Sequence, residues 1–153
     1  MNAPGGRGLD ARLSERSAMY SKTIQIRPAR RGLHEITEEV ARAVAESGIA
    51  AGLCNVFIQH TSASLIISEN ADPTARRDLE SFLDRLVPEG EPYYRHTTEG
   101  PDDMPSHIKS ILTDVSLLVP VRRGALGLGT WQGIYLWEHR DEPPARSIAV
   151  TVF

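Results

Sequence analysis

The sequence predicts an α+β fold: a compact, mainly antiparallel β-sheet or sandwich carrying two or three helices. Three observations point there. Six or seven short segments read as strands, residues 20–26 and 52–59 among them with the period-two alternation of half-buried strands. Two or three others repeat at helical spacing and carry capping residues at their ends. The two kinds do not alternate strictly, as a parallel βαβ sheet would require. A chain of 153 residues is the size of one domain with a single core. Residues 1–18 are polar, glycine-containing and without periodicity, and read as a flexible N-terminal tail. That leaves 19–153 as the folded unit.

Residues 20–26 alternate in period two and form the first expected strand. Thr37 followed by Glu38 and Glu39 reads as a helix N-cap with acids in the first turn, where the helix dipole favours them. Ile36, Val40 and Val44 then recur at helical spacing, and Gly48 suits the C-terminal stop. Residues 52–59 read as a strand with Cys54, Val56 and Ile58 on one face, which places His60 at its end on that side. A short strand follows at 63–67. Asp72-Pro73 starts a second helix, with Leu79, Phe82, Leu83 and Leu86 as its apolar face up to Pro88. Residues 88–103 form a long loop rich in Pro, Gly and acids, of the length that functional loops have. A short helix is expected over 104–112. Residues 115–121 and 125–128 read as a hairpin turning at Arg122-Arg123-Gly124, and 134–138 and 147–153 add two further strands.

Composition excludes several classes. The hydrophobic share is 41% and the formal charge −3, with no basic run to track a nucleic acid. The single cysteine, Cys54, rules out an internal disulfide or a multi-thiolate metal site, and its apolar setting reads as a buried, inert thiol. No apolar run approaches the roughly 20 residues that span a bilayer. The first residues lack the apolar core of a signal peptide. The expectation is a cytoplasmic protein with neither nucleic-acid nor membrane partners. Gly127-Leu128-Gly129 lacks the third glycine of a dinucleotide loop, and no P-loop is present. Ser62 has no nucleophile-elbow context.

Four polar clusters stand out: His60-Thr61-Ser62-Ala63, Glu69-Asn70-Ala71-Asp72-Pro73, Asp102-Asp103-Met104-Pro105-Ser106-His107-Ile108-Lys109, and Gly129-Thr130-Trp131-Gln132-Gly133 leading to Glu138-His139-Arg140. Each sits at the end of an expected element, and together they suggest one pocket. His34 reads as a surface residue. No short metal signature exists, but His60, His96 and His107 could assemble a three-imidazole site for a divalent cation (zinc or magnesium) with a position left open. The alternative is histidines that are scattered or merely hydrogen-bonded. Asp103 reads as the N-cap of the third helix, which frees Asp102 for a metal, a cation or water. The helix start with Lys109 nearby could seat phosphate, although the two acids would repel a bare anion. Asp102, Glu138 and His139 are the candidate acid/base groups. Thr61, Ser62, Asn70, Asp72, Lys109, Thr130, Trp131, Gln132 and Arg140 are the candidate substrate contacts, with Trp131 either a stacking platform or a packing anchor.

On these same motifs, together with Tyr94-Arg95-His96, the chain resembles the YjbQ family of small proteins, labelled secondary thiamine-phosphate synthases. The motifs run in the family's order over about residues 20–153; Thr97 departs from the acid or Asn found in many relatives. The resemblance implies a sandwich-type α+β fold assembled as a homotrimer. It also implies a weak activity on a phosphorylated small molecule: joining hydroxymethylpyrimidine diphosphate to a thiazole phosphate with release of pyrophosphate. Two other readings stand beside the enzyme: a binding or regulatory module for a phosphorylated metabolite, and a purely structural trimer.

Overall fold

A computed structural model describes residues 19–153; the expected tail, 1–18, lies outside the described residues. Eight strands and three helices follow in the order β1 (Tyr20–Ile26), β2 (Gly32–Glu35), α1 (Thr37–Ser47), β3 (Ala51–Ile58), β4 (Ala63–Glu69), α2 (Pro73–Leu86), α3 (Asp103–Leu112), β5 (Ser116–Arg122), β6 (Ala125–Leu126), β7 (Gln132–Glu138) and β8 (Arg146–Val152). The strands form two sheets, β1-β8-β3-β5-β6 and β2-β7-β4, and every pairing between them is antiparallel. The fold is α+β, as expected from strands and helices that do not alternate strictly.

The central strand of the smaller sheet explains the layering. Along β7, Ile134 and Leu136 enter one apolar cluster with Val56, Ile58, Ile148 and Val150 of the larger sheet and Val40 and Val44 of α1. Tyr135 and Trp137, on the opposite face, join Leu33, Leu83 and Val87 in a second cluster beneath α2. A strand covered on both faces loses polar alternation, and β7 is apolar nearly throughout. Its polar residues are left to the ends.

Several local expectations shift. β2 was not anticipated; His34 lies in it, partly exposed, its Nε2 2.6 Å from the Arg30 carbonyl. Ile36, not Thr37, occupies the N-cap position of α1. The Thr37 hydroxyl instead donates to Glu35 Oε1 and accepts from the Ile134 N–H at 2.9 Å, joining α1 to β7. Gly48 ends α1 in the left-handed region at φ 68°, the conformation glycine adopts without cost. Asp72 caps α2 by accepting from the Thr74 N–H at 2.8 Å. Only part of the expected apolar face of α2 is buried: Leu79 and Leu83 pack inward, while Phe82 and Leu86 are exposed.

α3 inverts the usual amphipathic rule. Its buried residues include Asp103, Ser106, Lys109 and Ser110, whereas Ile111 and Leu112 face out. Its two serines are satisfied by backbone: Ser106 Oγ reaches the His139 carbonyl at 2.9 Å and Ser110 Oγ the Ala63 carbonyl at 3.2 Å. These bonds hold α3 across the ends of β4 and β7.

Candidate metal centre

Asp103 is the first residue of α3 and His107 stands one turn later, so both side chains lie on one helix face. The loop between α2 and α3 brings His96 to the same place. His96 Nε2 is 2.8 Å and His107 Nε2 3.3 Å from Asp103 Oδ2, and the three potential ligand atoms all lie within 4.8 Å of one another. Ligands about 2.1 Å from a tetrahedral cation stand about 3.4 Å apart, so this spacing suits one. Asp103 is 2% exposed at its side chain, against 29% for His107 and 50% for His96. The centre has a buried floor and an open side.

Two details fit a cation. Asp103 Oδ2 is buried and makes no hydrogen bond; its neighbours are the two imidazole nitrogens. An unsatisfied buried carboxylate oxygen is costly and calls for a partner. The His107 Nδ1 lies 2.9 Å from the Thr61 carbonyl. A carbonyl only accepts, so Nδ1 carries a proton, the tautomer in which Nε2 is the atom turned to a metal.

Arg140 braces the centre from behind. Its guanidinium donates to Asp103 Oδ1 at 2.6 Å, to Asp102 Oδ2 at 2.9 Å and to the Glu99 carbonyl at 2.7 Å. Asp102 also accepts from the Asp141 N–H at 2.9 Å. Burial alone would raise the Asp102 pKa, but the Asp141 N–H and Arg140 hold it below the usual carboxylate value. The expected roles of the two acids are thereby exchanged. Asp102 takes the N-cap position without a capping bond and serves Arg140, while Asp103 joins the histidines.

His60 is not in the cluster. Its Nε2 accepts the Ser147 N–H at 2.8 Å, and burial together with Arg146 lowers its pKa from the ordinary imidazole value. The group that could hold a cation among the described residues is two imidazoles and a carboxylate, and His60 stands apart from it. Thr61 and Ser62 contribute main-chain carbonyls, to His107 and to Arg146 Nη2 respectively.

Glu138 and His139 are buried in pairs of their own. Glu138 receives Arg146 through both oxygens, Nε to Oε2 at 2.6 Å and Nη2 to Oε1 at 2.5 Å, and Oε1 also accepts the Arg140 N–H. His139 Nε2 meets Ser64 Oγ at 2.8 Å. Burial first, then Lys109 and Arg146, pushes the His139 pKa down to about 3, so its ring stays neutral at ordinary pH. Lys109, 2% exposed, donates to Asp84 Oδ1 at 2.6 Å. The expected anion donors, Lys109 and Arg140, are both engaged with carboxylates.

The remaining candidates lie elsewhere. Ala63 pairs with Glu138 at one end of β4, and Glu69 with Gln132 at the other. Six residue steps along a strand span about 20 Å. The four polar clusters therefore separate to two ends of the small sheet instead of forming one pocket. Asn70, Asp72, Thr130, Trp131 and Gln132 occupy the far end. There the Asn70 N–H donates to the Trp131 carbonyl, Gln132 Oε1 accepts from the Gly129 N–H at 2.8 Å, and Trp131 is exposed. Sequence reasoning missed Asp103 as a potential ligand, although its i,i+4 spacing to His107 carried the signal. It also missed Arg146 and Asp84, whose pairing depends on distant segments.

Residues 22–153 match the family model described as "UPF0047 protein YjbQ-like". The chain is 53% identical over 122 residues to the UPF0047 protein sll1880 of Synechocystis, covering 80% of this chain and 83% of that one. It is 46% identical to the UPF0047 protein YjbQ of Escherichia coli O157:H7, with 87% and 96% covered. Among solved structures, a YbjQ-like protein of unknown function from Sulfolobus solfataricus superposes with a TM-score of 0.80 at 27% identity, covering 88% of this chain and 96% of that one. A YjbQ/UPF0047 protein from Clostridium acetobutylicum gives 0.75 at 37% identity, with 87% and 98% covered. By sequence and by fold, this chain belongs to the YjbQ/UPF0047 family.

Proposed function

We propose that this protein is a metal-assisted enzyme acting on a phosphorylated small molecule, with the cation held by His96, Asp103 and His107. The observation that carries this reading is Asp103 Oδ2: buried, without a hydrogen bond, and facing two imidazole nitrogens. Two nitrogens and one carboxylate suit zinc better than magnesium, which prefers oxygen ligands and its own water. The cation would supply positive charge for a phosphate or departing pyrophosphate, a role that Lys109 and Arg140 leave open because carboxylates already engage them. The thiamine-phosphate synthase reaction implied by the family resemblance is the specific form of this proposal.

One observation favours a binding or regulatory module instead. Glu138 and His139, the candidate acid/base groups, are committed to buried partners. A protein that binds the metabolite without turning it over needs neither group free. The homotrimer and a cytoplasmic location belong to the same proposal. Self-association is supported by exposed Leu53, Phe57 and Leu118, which share the outer face of the large sheet through the β3–β5 register. No helix among the described residues is long and apolar enough to cross a membrane.

Elemental mass spectrometry of untagged protein beside Asp103→Asn and His107→Ala tests the metal. About one cation per chain in the wild type, lost in both folded variants, is the expected result. A full complement retained in either variant removes the assignment.

A further inference from the structure

Glu138 and His139 also line a second cavity, of about 250 Å³, with Arg30, Arg31, Glu80, Asp84 and Trp137. None of the three metal-centre residues is among its lining residues. Gly32, at φ +119°, keeps its rim open, because a Cβ there would meet Arg30 Nη1 and Glu80 Oε1. His139 is 2% exposed, and its Nε2 lies 2.8 Å from Ser64 Oγ. The Thr113 hydroxyl has one proton. It stands 2.8 Å from the Lys109 carbonyl, which only accepts, and 2.6 Å from Ser64 Oγ. With that proton on the carbonyl, Ser64 donates to Thr113 and the His139 Nε2–H donates to Ser64. Nδ1 is left with a lone pair and no partner among the described residues, on a buried ring that lines the cavity.

The unspent groups around this cavity are acceptors. Contacts to Glu80 fall on Oε1, from the Leu33 N–H at 2.7 Å and Arg30 Nη2 at 3.5 Å. Contacts to Asp84 fall on Oδ1, from Lys109 at 2.6 Å and Arg31 at 2.9 Å. Glu80 Oε2, Asp84 Oδ2 and His139 Nδ1 remain, while Arg31 is spent on Asp84, Glu89 and Asp141. The lining charges and their ion-pair partners are five carboxylates (Glu80, Asp84, Glu89, Glu138, Asp141) and four cations (Arg30, Arg31, Lys109, Arg146), one negative charge in excess. His139, its pKa lowered to about 3, adds no positive charge.

We infer that this cavity binds a small organic monocation of the guanidinium class, stacked on Trp137 and donating to Glu80, Asp84 and His139. A planar cation is drawn to an indole face. Its N–H groups match the three free acceptors, and its single charge cancels the excess. An anion fits neither the charge nor the acceptors. The site is independent of the metal centre.

Calorimetry on the full chain, with the Trp137 indole N–H followed by NMR, compares methylguanidinium with N-methylurea, its uncharged isostere, at constant chloride. Both probes are kept at low millimolar concentration, far below denaturing levels. Charge-assisted hydrogen bonds should make methylguanidinium bind at least about tenfold more tightly. Glu80→Gln should weaken it about fivefold, whereas Arg30→Gln, which removes a competing charge at the rim, should strengthen it about threefold. Opposite signs from two neighbouring residues cannot come from a general loss of fold. Equal affinity for the two probes overturns the proposal, as does a Trp137 signal that methylguanidinium leaves unshifted. Weaker binding of the cation to Arg30→Gln overturns it too, and so does inorganic phosphate that shifts the same signal at matched concentration. Each of these failures leaves the His96–Asp103–His107 reading standing, since metal content is measured separately.

Discussion

Asp103 and His107 stand one turn apart on α3 and direct a carboxylate oxygen and an imidazole nitrogen to within 3.3 Å of each other. Arg140 takes the other carboxylate oxygen at 2.6 Å, so Asp103 can offer a ligand from one oxygen only. The Thr61 carbonyl fixes the imidazole from behind. The geometry depends on this supporting ring of contacts as much as on the two residues themselves.

Arg140→Met should therefore weaken metal binding by about 10- to 100-fold without removing a ligand, the usual effect of losing an outer-shell partner. Competition against a chromophoric chelator measures it. Affinity within twofold of wild type would show that Asp103 needs no brace.

The Glu138–Arg146 pair predicts a stability pattern. Both side chains are almost fully buried, at 0% and 2% exposed. Arg146→Met alone should cost about 3–5 kcal/mol, because it leaves the carboxylate buried and uncompensated. Adding Glu138→Leu should recover most of that loss. Urea denaturation of the two variants decides; a double variant no more stable than the single would argue that the pair does more than neutralise itself.

His139 predicts a pH dependence. Its pKa falls from the ordinary 6.5 to about 3 in the folded protein, so the unfolded chain binds the extra proton first. Its stabilising contribution is complete above about pH 6.5 and is lost as pH falls towards 3, by at most about 1.4 kcal/mol per unit. His139→Gln should flatten the stability profile between pH 6 and pH 4, a window above most of the carboxylate titrations. An unchanged slope in urea midpoints over that window would remove His139 as its source.

The outer face of the large sheet predicts assembly. Phe57→Glu should convert a trimer to monomers while preserving the circular dichroism spectrum, since Phe57 is 44% exposed in the single chain and a buried interfacial charge is disfavoured. Sedimentation velocity reads the outcome, and a wild-type monomer at micromolar concentration would count against the trimer.

Local chemistry made much of the fold legible. Period-two alternation marked β1 and β3, and Asp72-Pro73 marked the start of α2, because such signals act within a few residues of their cause. β2 escaped notice because four residues, one of them a glycine, carry too little period to read. α3 was placed correctly, but its buried polar face could not be read locally: its partners are the Ala63 and His139 carbonyls, Asp84 and Arg140, all distant in the chain.

The sequence by itself determined the family, the α+β class and the presence of histidines and acids around the third helix. The tertiary structure decided which of them meet. His60 and Asp103 are both polar residues near the ends of elements, and nothing local separates their roles. The Ser147 N–H of β8 engages the first, while the second is left with a buried oxygen that makes no hydrogen bond and faces two imidazoles. Register along β4 and β7 likewise divides four similar motifs between two ends of a sheet. These outcomes depend on pairings between residues far apart in the chain, and a hydrogen bond or a ligand group forms only where folding brings its partners within a few ångströms.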